Sequence, residues 1–450
     1  MYYKLIIILL ALSPFTEGFT KGPEYSIYFT DASLRIDFIL SGKHHNQHLS
    51  WHHLIKEPYW AGPRQNLKDP FRYGEYLVEL FDSTGNKLIY SKGFNNLFQE
   101  WQTTAEAKKI TRAFENSVII PFPKHPVVVK ILYRNEQNAF QELASRYIDP
   151  QKEYIEQNRP PYNILTDTLR YHGNPADKVD LAILADGYTA NQMNKFKKDA
   201  KKLTDSLFIH EPFHSNQHRF NVWLVYSVSK EQGPDAPGEN KWKNNVLNTR
   251  FYTFGSKRYL TSPDHYVLRD YASHVPYDQI YILTNTERYG GGGMYNYYNT
   301  CTADNKYSGF VFVHEFGHGF AGLADEYYTS SVSYEDYFNP KLEPWQPNIS
   351  SLVDFDRKWK SRIHDTIPIP TPAVDRYKNV VGAFEGAGYV PENMYRPSYD
   401  CIMKSRNAGN FCPVCQNIIQ KMILYVSDEK VFDKQAKLSL KFYTNFHKRR

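Results

Sequence analysis

The chain has 450 residues, 41% of them hydrophobic and 16% aromatic, long enough for two or three domains with sizeable cores. Its net charge of +6 is mild and its basic residues are scattered, which excludes a nucleic-acid footprint. The only basic cluster is the terminal His447-Lys448-Arg449-Arg450, a tail expected to be solvated.

At the N-terminus a lone Lys4 precedes the apolar run Leu5 to Leu12, with small residues near Gly18. This is the pattern of a signal peptide over residues 1–18, because the run is too short to span a bilayer and no stop-transfer segment follows. No cysteine lies near Gly18 to carry a lipid anchor. The expectation is an exported chain, secreted, periplasmic or at the cell surface, with no membrane span after cleavage.

Residues 19–150 read as an antiparallel β-sandwich. Leu34–Leu40, Glu75–Phe81, Lys87–Tyr90 and Val127–Tyr133 look like short strands, and Asp82-Ser83-Thr84-Gly85-Asn86 supplies turn chemistry. Histidines 44, 45, 48, 52 and 53 share no fixed ligand spacing and read as incidental members of a polar loop. A linker is expected over 151–176, marked by the polar, proline-bearing stretch Gln151–Asn163. From Asp177 the pattern alternates: strand Val179–Ala185, a capping box at Thr189–Gln192 opening a helix, strand Phe220–Val228, helix Asp264–His274 and strand Gln279–Thr284. The run Gly290–Gly293 lacks the Lys-Ser/Thr of a phosphate loop. It reads equally as a flexible loop or as bare backbone along a cleft, where substrate could pair as an extra strand.

The segment Phe310–Glu326, FVFVHEFGHGFAGLADE, carries the chemistry. Each helical residue advances about 100°, so His314 and His318 return to one face and can point at one ion, with Glu315 beside it. A chance HExxH is expected in roughly 3 in 100 such chains, and the apolar residues Phe316, Phe320 and Leu323 make this one a buried helix. Gly322 allows a sharp turn, after which Asp325 and Glu326 offer oxygen ligands. Asp325 is expected as the third metal ligand, with Glu326 as the alternative. Three ligands leave one position open, the catalytic arrangement. The pattern resembles the metzincin motif HExxHxxGxxH, with one extra residue before Gly322 and a carboxylate as third donor. Ser398–Ser405 resembles a Met-turn, in which Met403 forms an apolar floor under the metal.

HEFGHGFAGLADEYY, together with YGGGGMYN, CTADN, VGAFEGAGY, MYRP, CIMKS and FCPVC, resembles the IgA-peptidase-type family of bacterial zinc metallopeptidases over about Asp180–Ser427. The resemblance implies a mixed α+β fold: the N-terminal sandwich followed by a metzincin-like α/β zinc-peptidase domain over 177–450. It implies one catalytic Zn²⁺ held by His314, His318 and Asp325, with Glu315 as general base. The substrate would be a protein or peptide, a host glycoprotein among the candidates. A zinc-dependent deacylase of glycan or cell wall and a non-catalytic surface binding protein are the alternatives. Tyr188 and Tyr399 are candidates for stabilising an oxyanion. Cys301, Cys401, Cys412 and Cys415 are expected in structural disulfides, rather than in a redox pair or half of a zinc knuckle. A latency role for Cys301 is the lesser reading.

Overall fold

A computed structural model describes residues 25–157, 163–329 and 337–429. The leader 1–18, part of the linker and the basic terminus lie outside the described residues.

After a single turn α1 (Tyr25–Tyr28) the chain forms β1 (Phe29–Lys43), β2 (Asn46–Glu57), β3 (Tyr76–Asp82) and β4 (Leu88–Phe94). Next come α2 (Leu97–Gln102), β5 (Arg112–Pro123), β6 (Val127–Arg134) and β7 (Phe140–Ile148). They build two antiparallel sheets, ordered β2-β1-β5 and β4-β3-β6-β7. Side chains alternate across a strand, so Leu34, Ile36, Phe38 and Leu40 of β1 share one face. That face meets Val78 and Leu80 of β3 and Val129 and Ile131 of β6 in one core, so the sheets pack face to face. The histidine-rich stretch is not a loop: His48, His52 and His53 lie on β2, with His44 and His45 at its hairpin turn. Long pairing with β1 sets that conformation, which the polar composition concealed.

The second half contains β8 (Thr166–Arg170), β9 (Val179–Asp186), α3 (Met193–Leu207), β10 (Phe220–Val225), α4 (His265–Ala272) and β11 (Gln279–Thr284). There follow β12 (Gly291–Met294), β13 (Tyr298–Thr302), α5 (Ser308–Ala321), β14 (Phe384–Ala387), β15 (Val390–Arg396) and α6 (Pro413–Val426). The sheet order is β12-β13-β11-β9-β10-β8. Its four inner strands are parallel, and the edges β8 and β12 are antiparallel. Every residue of β9 is buried, as a strand covered on both faces requires. The Thr189–Gln192 capping box leads into α3, which buries Phe196, Ala200, Leu203 and Leu207. The expected mixed α+β class therefore holds: antiparallel sheets first, an α/β unit after.

The glycine run forms edge strand β12, and it lies against α5 beside Glu315. Its outer side is partly taken. Gly291 accepts from Leu260 N–H (3.3 Å) and donates to the Arg258 carbonyl (3.4 Å), so a substrate strand cannot pair at that residue.

Candidate metal centre and its cleft

α5 forms because Val311, Phe312, Val313, Phe316 and Phe320 bury against the sheet and neighbouring helices. Four-residue spacing then sets His314 and His318 on one face. His314 Nδ1 donates to the Ile402 carbonyl (3.0 Å) and His318 Nδ1 to the Leu323 carbonyl (2.6 Å). A carbonyl can only accept, so each Nδ1 carries a proton, and each Nε2 is turned toward Asp325. Those two Nε2 atoms are 3.2 Å apart.

Gly322 ends the helix in the left-handed region at φ +64°, and the amides of Gly322 and Leu323 return to the carbonyls of His318 and Gly317. The reversal brings Asp325 back under the imidazoles, with Oδ1 3.0 Å from His314 Nε2 and 3.3 Å from His318 Nε2. The Tyr389 hydroxyl donates to Oδ2 of the same carboxylate. Glu326 points the other way, into a separate buried cluster. The structure therefore brings Asp325, and not Glu326, to the histidine pair.

Three donor atoms spaced 3.0–3.3 Å have the edge length of a tetrahedral site. An ion with ligand bonds of about 2.0–2.1 Å sets its ligands about 3.3 Å apart. Two imidazole nitrogens and a carboxylate oxygen facing one buried point require positive charge between them, whether a proton or a metal ion. The protonation equilibria carry the same message. Burial opposes a charge on His318, yet the Asp325 carboxylate pulls its pKa up to about 9. Burial likewise pushes the Asp325 carboxyl up, but the two histidines hold it well below the usual range. Imidazole and carboxylate donors on a face open to the cleft suit a divalent ion.

Glu315 lines the same cleft, of about 990 Å³, as do His314, His318 and Asp325. Burial raises its pKa above the ordinary carboxylate value, against the pull of the histidines. Met403 is fully buried beneath α5; a Cβ on Gly317, between the two histidines, would lie 2.8 Å from its Sδ. Its carbonyl accepts the Glu326 amide (2.8 Å), and its neighbour Ile402 holds His314.

Neither proposed oxyanion tyrosine reaches this cleft. Tyr188 is buried in the core, its hydroxyl on Asp199 (2.8 Å), and Tyr399 packs against Phe384 and Lys404. Tyr327, Tyr389 and Arg258 line the cleft instead. Tyr327 stood inside the quoted motif, directly after Glu326. Tyr389 ends the VGAFEGAGY stretch, but nothing in that stretch showed its role, since only the β14–β15 hairpin brings it to Asp325. Two residues of the N-terminal half, Asn95 and Glu100, also line the wall.

The disulfide expectation is corrected: all four cysteines are free and buried. Cys301 sits on β13 in the core, its thiol on the carbonyls of Thr302 (3.2 Å) and Ser308 (3.5 Å), and it blocks nothing in the cleft. Cys401, Cys412 and Cys415 converge on Glu326, where three sulfurs cannot all pair.

Two family models match the chain. The IgA peptidase M64 model covers residues 168–379 and 373–423, and the peptidase M64 N-terminus model covers 24–145. The chain belongs to the M64 peptidase family. No curated protein matches it in sequence. Membership makes it a peptidase, a hydrolase whose substrates are proteins, and its N-terminal sheets are the family's own N-terminal region. Among the described residues no helix is long and apolar enough to cross a membrane.

Proposed function

We propose that this M64 peptidase is an exported, zinc-dependent endopeptidase with Glu315 as its general base. The observation that carries the reading is the triangle of His314 Nε2, His318 Nε2 and Asp325 Oδ1, with both Nδ1 atoms fixed on carbonyls. When bound there, a zinc ion supplies Lewis acidity toward water and the scissile carbonyl. His314, His318 and Asp325 would hold it, and Tyr389 and the two carbonyls would fix the orientation of those ligands.

Glu315, with its pKa raised by burial, takes a proton from the attacking water and returns it to the amine nitrogen that leaves. Arg258 and Tyr327 face the cleft as donors toward the oxygen that gains charge. Export is part of the proposal and is supported by Lys4 and the apolar run Leu5 to Leu12.

The test is Glu315→Gln. The variant should bind zinc as the parent does, while casein cleavage falls by roughly 10²–10⁴-fold. Full activity in that variant would remove Glu315 from the chemistry. Cleavage that persists after complete chelation of metal would remove zinc from it.

A further inference from the structure

Behind the catalytic triangle, facing away from the cleft, lies a second convergence of ligand-type side chains. Glu326 is fully buried. Its Oε1 accepts from Asn348 Nδ2 (3.0 Å) and from the Cys415 thiol (3.1 Å), whereas Oε2 has no hydrogen-bond partner among the described residues. A buried carboxylate oxygen with nothing to bind is costly unless a cation meets it. Three cysteines surround it, all buried, and one ligand atom from each of the four residues falls within 4.8 Å of all the others.

The backbone around these sulfurs suits thiolates. The Cys412 amide points at Cys401 Sγ (3.3 Å) and the Cys415 amide at Cys412 Sγ (3.5 Å). Cys412 is the N-cap of α6 and Cys415 lies in its first turn, where the helix dipole favours negative charge. A disulfide between any two of the three would still leave the Oε2 oxygen of Glu326 without a partner. One divalent ion satisfies all four groups together.

We propose that Glu326, Cys401, Cys412 and Cys415 form a second metal site, a closed four-ligand centre for zinc. Three sulfur donors select a soft or borderline ion, and a full set of four protein ligands leaves no position for substrate, which makes the site structural. Its place in the fold gives it a task. Glu326 directly follows Asp325, Cys401 lies two residues before Met403, and the Glu326 amide is bonded to the Met403 carbonyl (2.8 Å). One ion therefore ties the loop after α5, the turn beneath α5 and the start of α6 into a single wall. That bracing of Asp325 rests on the proposed catalytic reading; the site itself does not.

The experiment is metal analysis and cobalt substitution of the full chain. The parent should hold about two zinc equivalents, and its cobalt form should show a near-ultraviolet thiolate-to-cobalt charge-transfer band, which imidazole and carboxylate ligands cannot produce. Cys415→Ser should lose that band and about one equivalent, whereas His314→Ala should lose about one equivalent and keep the band. This pairing separates a failure of the second site from a failure of the catalytic one. Should Cys415→Ser not fold, zinc protection of the parent's three thiols against alkylation decides the question. A parent chain without the band, one whose three thiols react equally with and without zinc, or one purified with a disulfide among the three would overturn the proposal.

Discussion

Two residues outside the HExxH motif govern where Asp325 sits, and each acts through one contact. Gly322 holds φ +64°, and a Cβ there would also approach the Trp345 ring at 3.0 Å. Left-handed backbone costs a side-chain-bearing residue about 1–2 kcal/mol, so Gly322→Ala should lose about that much stability. On the proposed zinc reading it should also weaken metal binding, because the turn delivers Asp325; an unfolding curve and a competitive zinc titration read the two effects. A variant with unchanged zinc affinity would mean that the loop finds its ligand position without the turn. Tyr389 reaches Asp325 from the Gly388–Tyr389 hairpin turn, where both residues have positive φ (+59° and +65°). Tyr389→Phe deletes only the hydroxyl that orients the carboxylate. Zinc affinity should fall by about 10-fold, the lower end of what loss of a ligand-orienting partner costs. An unaffected affinity would assign the tyrosine to the substrate instead.

At the scale of elements, α5 lies close to β12 and β13 because glycines face the contact. A Cβ on Gly319 would fall on the buried Asn299 amide, whose Nδ2 bonds the Ile280 carbonyl (3.2 Å). Two effects compete in Gly319→Ala. Helix propensity favours alanine by about 1 kcal/mol, while overpacking costs about 1–3 kcal/mol and must push the helix off its strand. Packing should win, leaving a net loss of up to about 2 kcal/mol in denaturant unfolding. A stabilised variant would show that the helix and sheet can separate at no cost. The same elements show what sequence can carry. Strands with period-two patterning, and β9 with its apolar run Leu181–Ala185, were legible because the signal is local. So was the α5 motif, because both histidines lie on one helix. The Cys401–Cys412–Cys415–Glu326 cluster was not, since its members come from three segments joined only by the fold. The glycine run does line the cleft, as one of its two readings expects, but it is no flexible loop: glycines have no side-chain pattern, and pairing to β13 makes Gly291–Met294 a strand.

At the scale of the molecule, the N-terminal sheets and the peptidase half are joined through partly buried polar contacts rather than by the linker alone. The Asp428 carboxylate, beyond α6, accepts the amides of Arg64, Gln65 and Asn66 (3.0, 2.8 and 2.9 Å). Trp345 donates to Glu75 (2.6 Å) across the same seam. Arg35 on β1 binds Asp37 on its own strand and Asp270 on α4, both at 2.7 Å. Glu57, at the end of β2, is buried beside this group and accepts from Tyr277 (2.9 Å). Burial raises its pKa from 4.5 to about 7, against the pull of Arg35, Arg269 and the tyrosine. The folded chain thus keeps a proton on Glu57 at pH values where the unfolded chain has released it. Stability from this group is full below pH 4.5 and is lost as pH rises through about 7. The displacement corresponds to about 3 kcal/mol at about 1.4 kcal/mol per pH unit. Glu57→Gln, which keeps the shape and cannot ionise, should remove that slope. Unfolding free energies of parent and variant measured between pH 5 and pH 8 should diverge by up to about 3 kcal/mol, the variant gaining relative to the parent as pH rises. Parallel curves would mean that the Arg35 cluster holds Glu57 ionised, so that the seam is an ion-pair network with no proton at its centre.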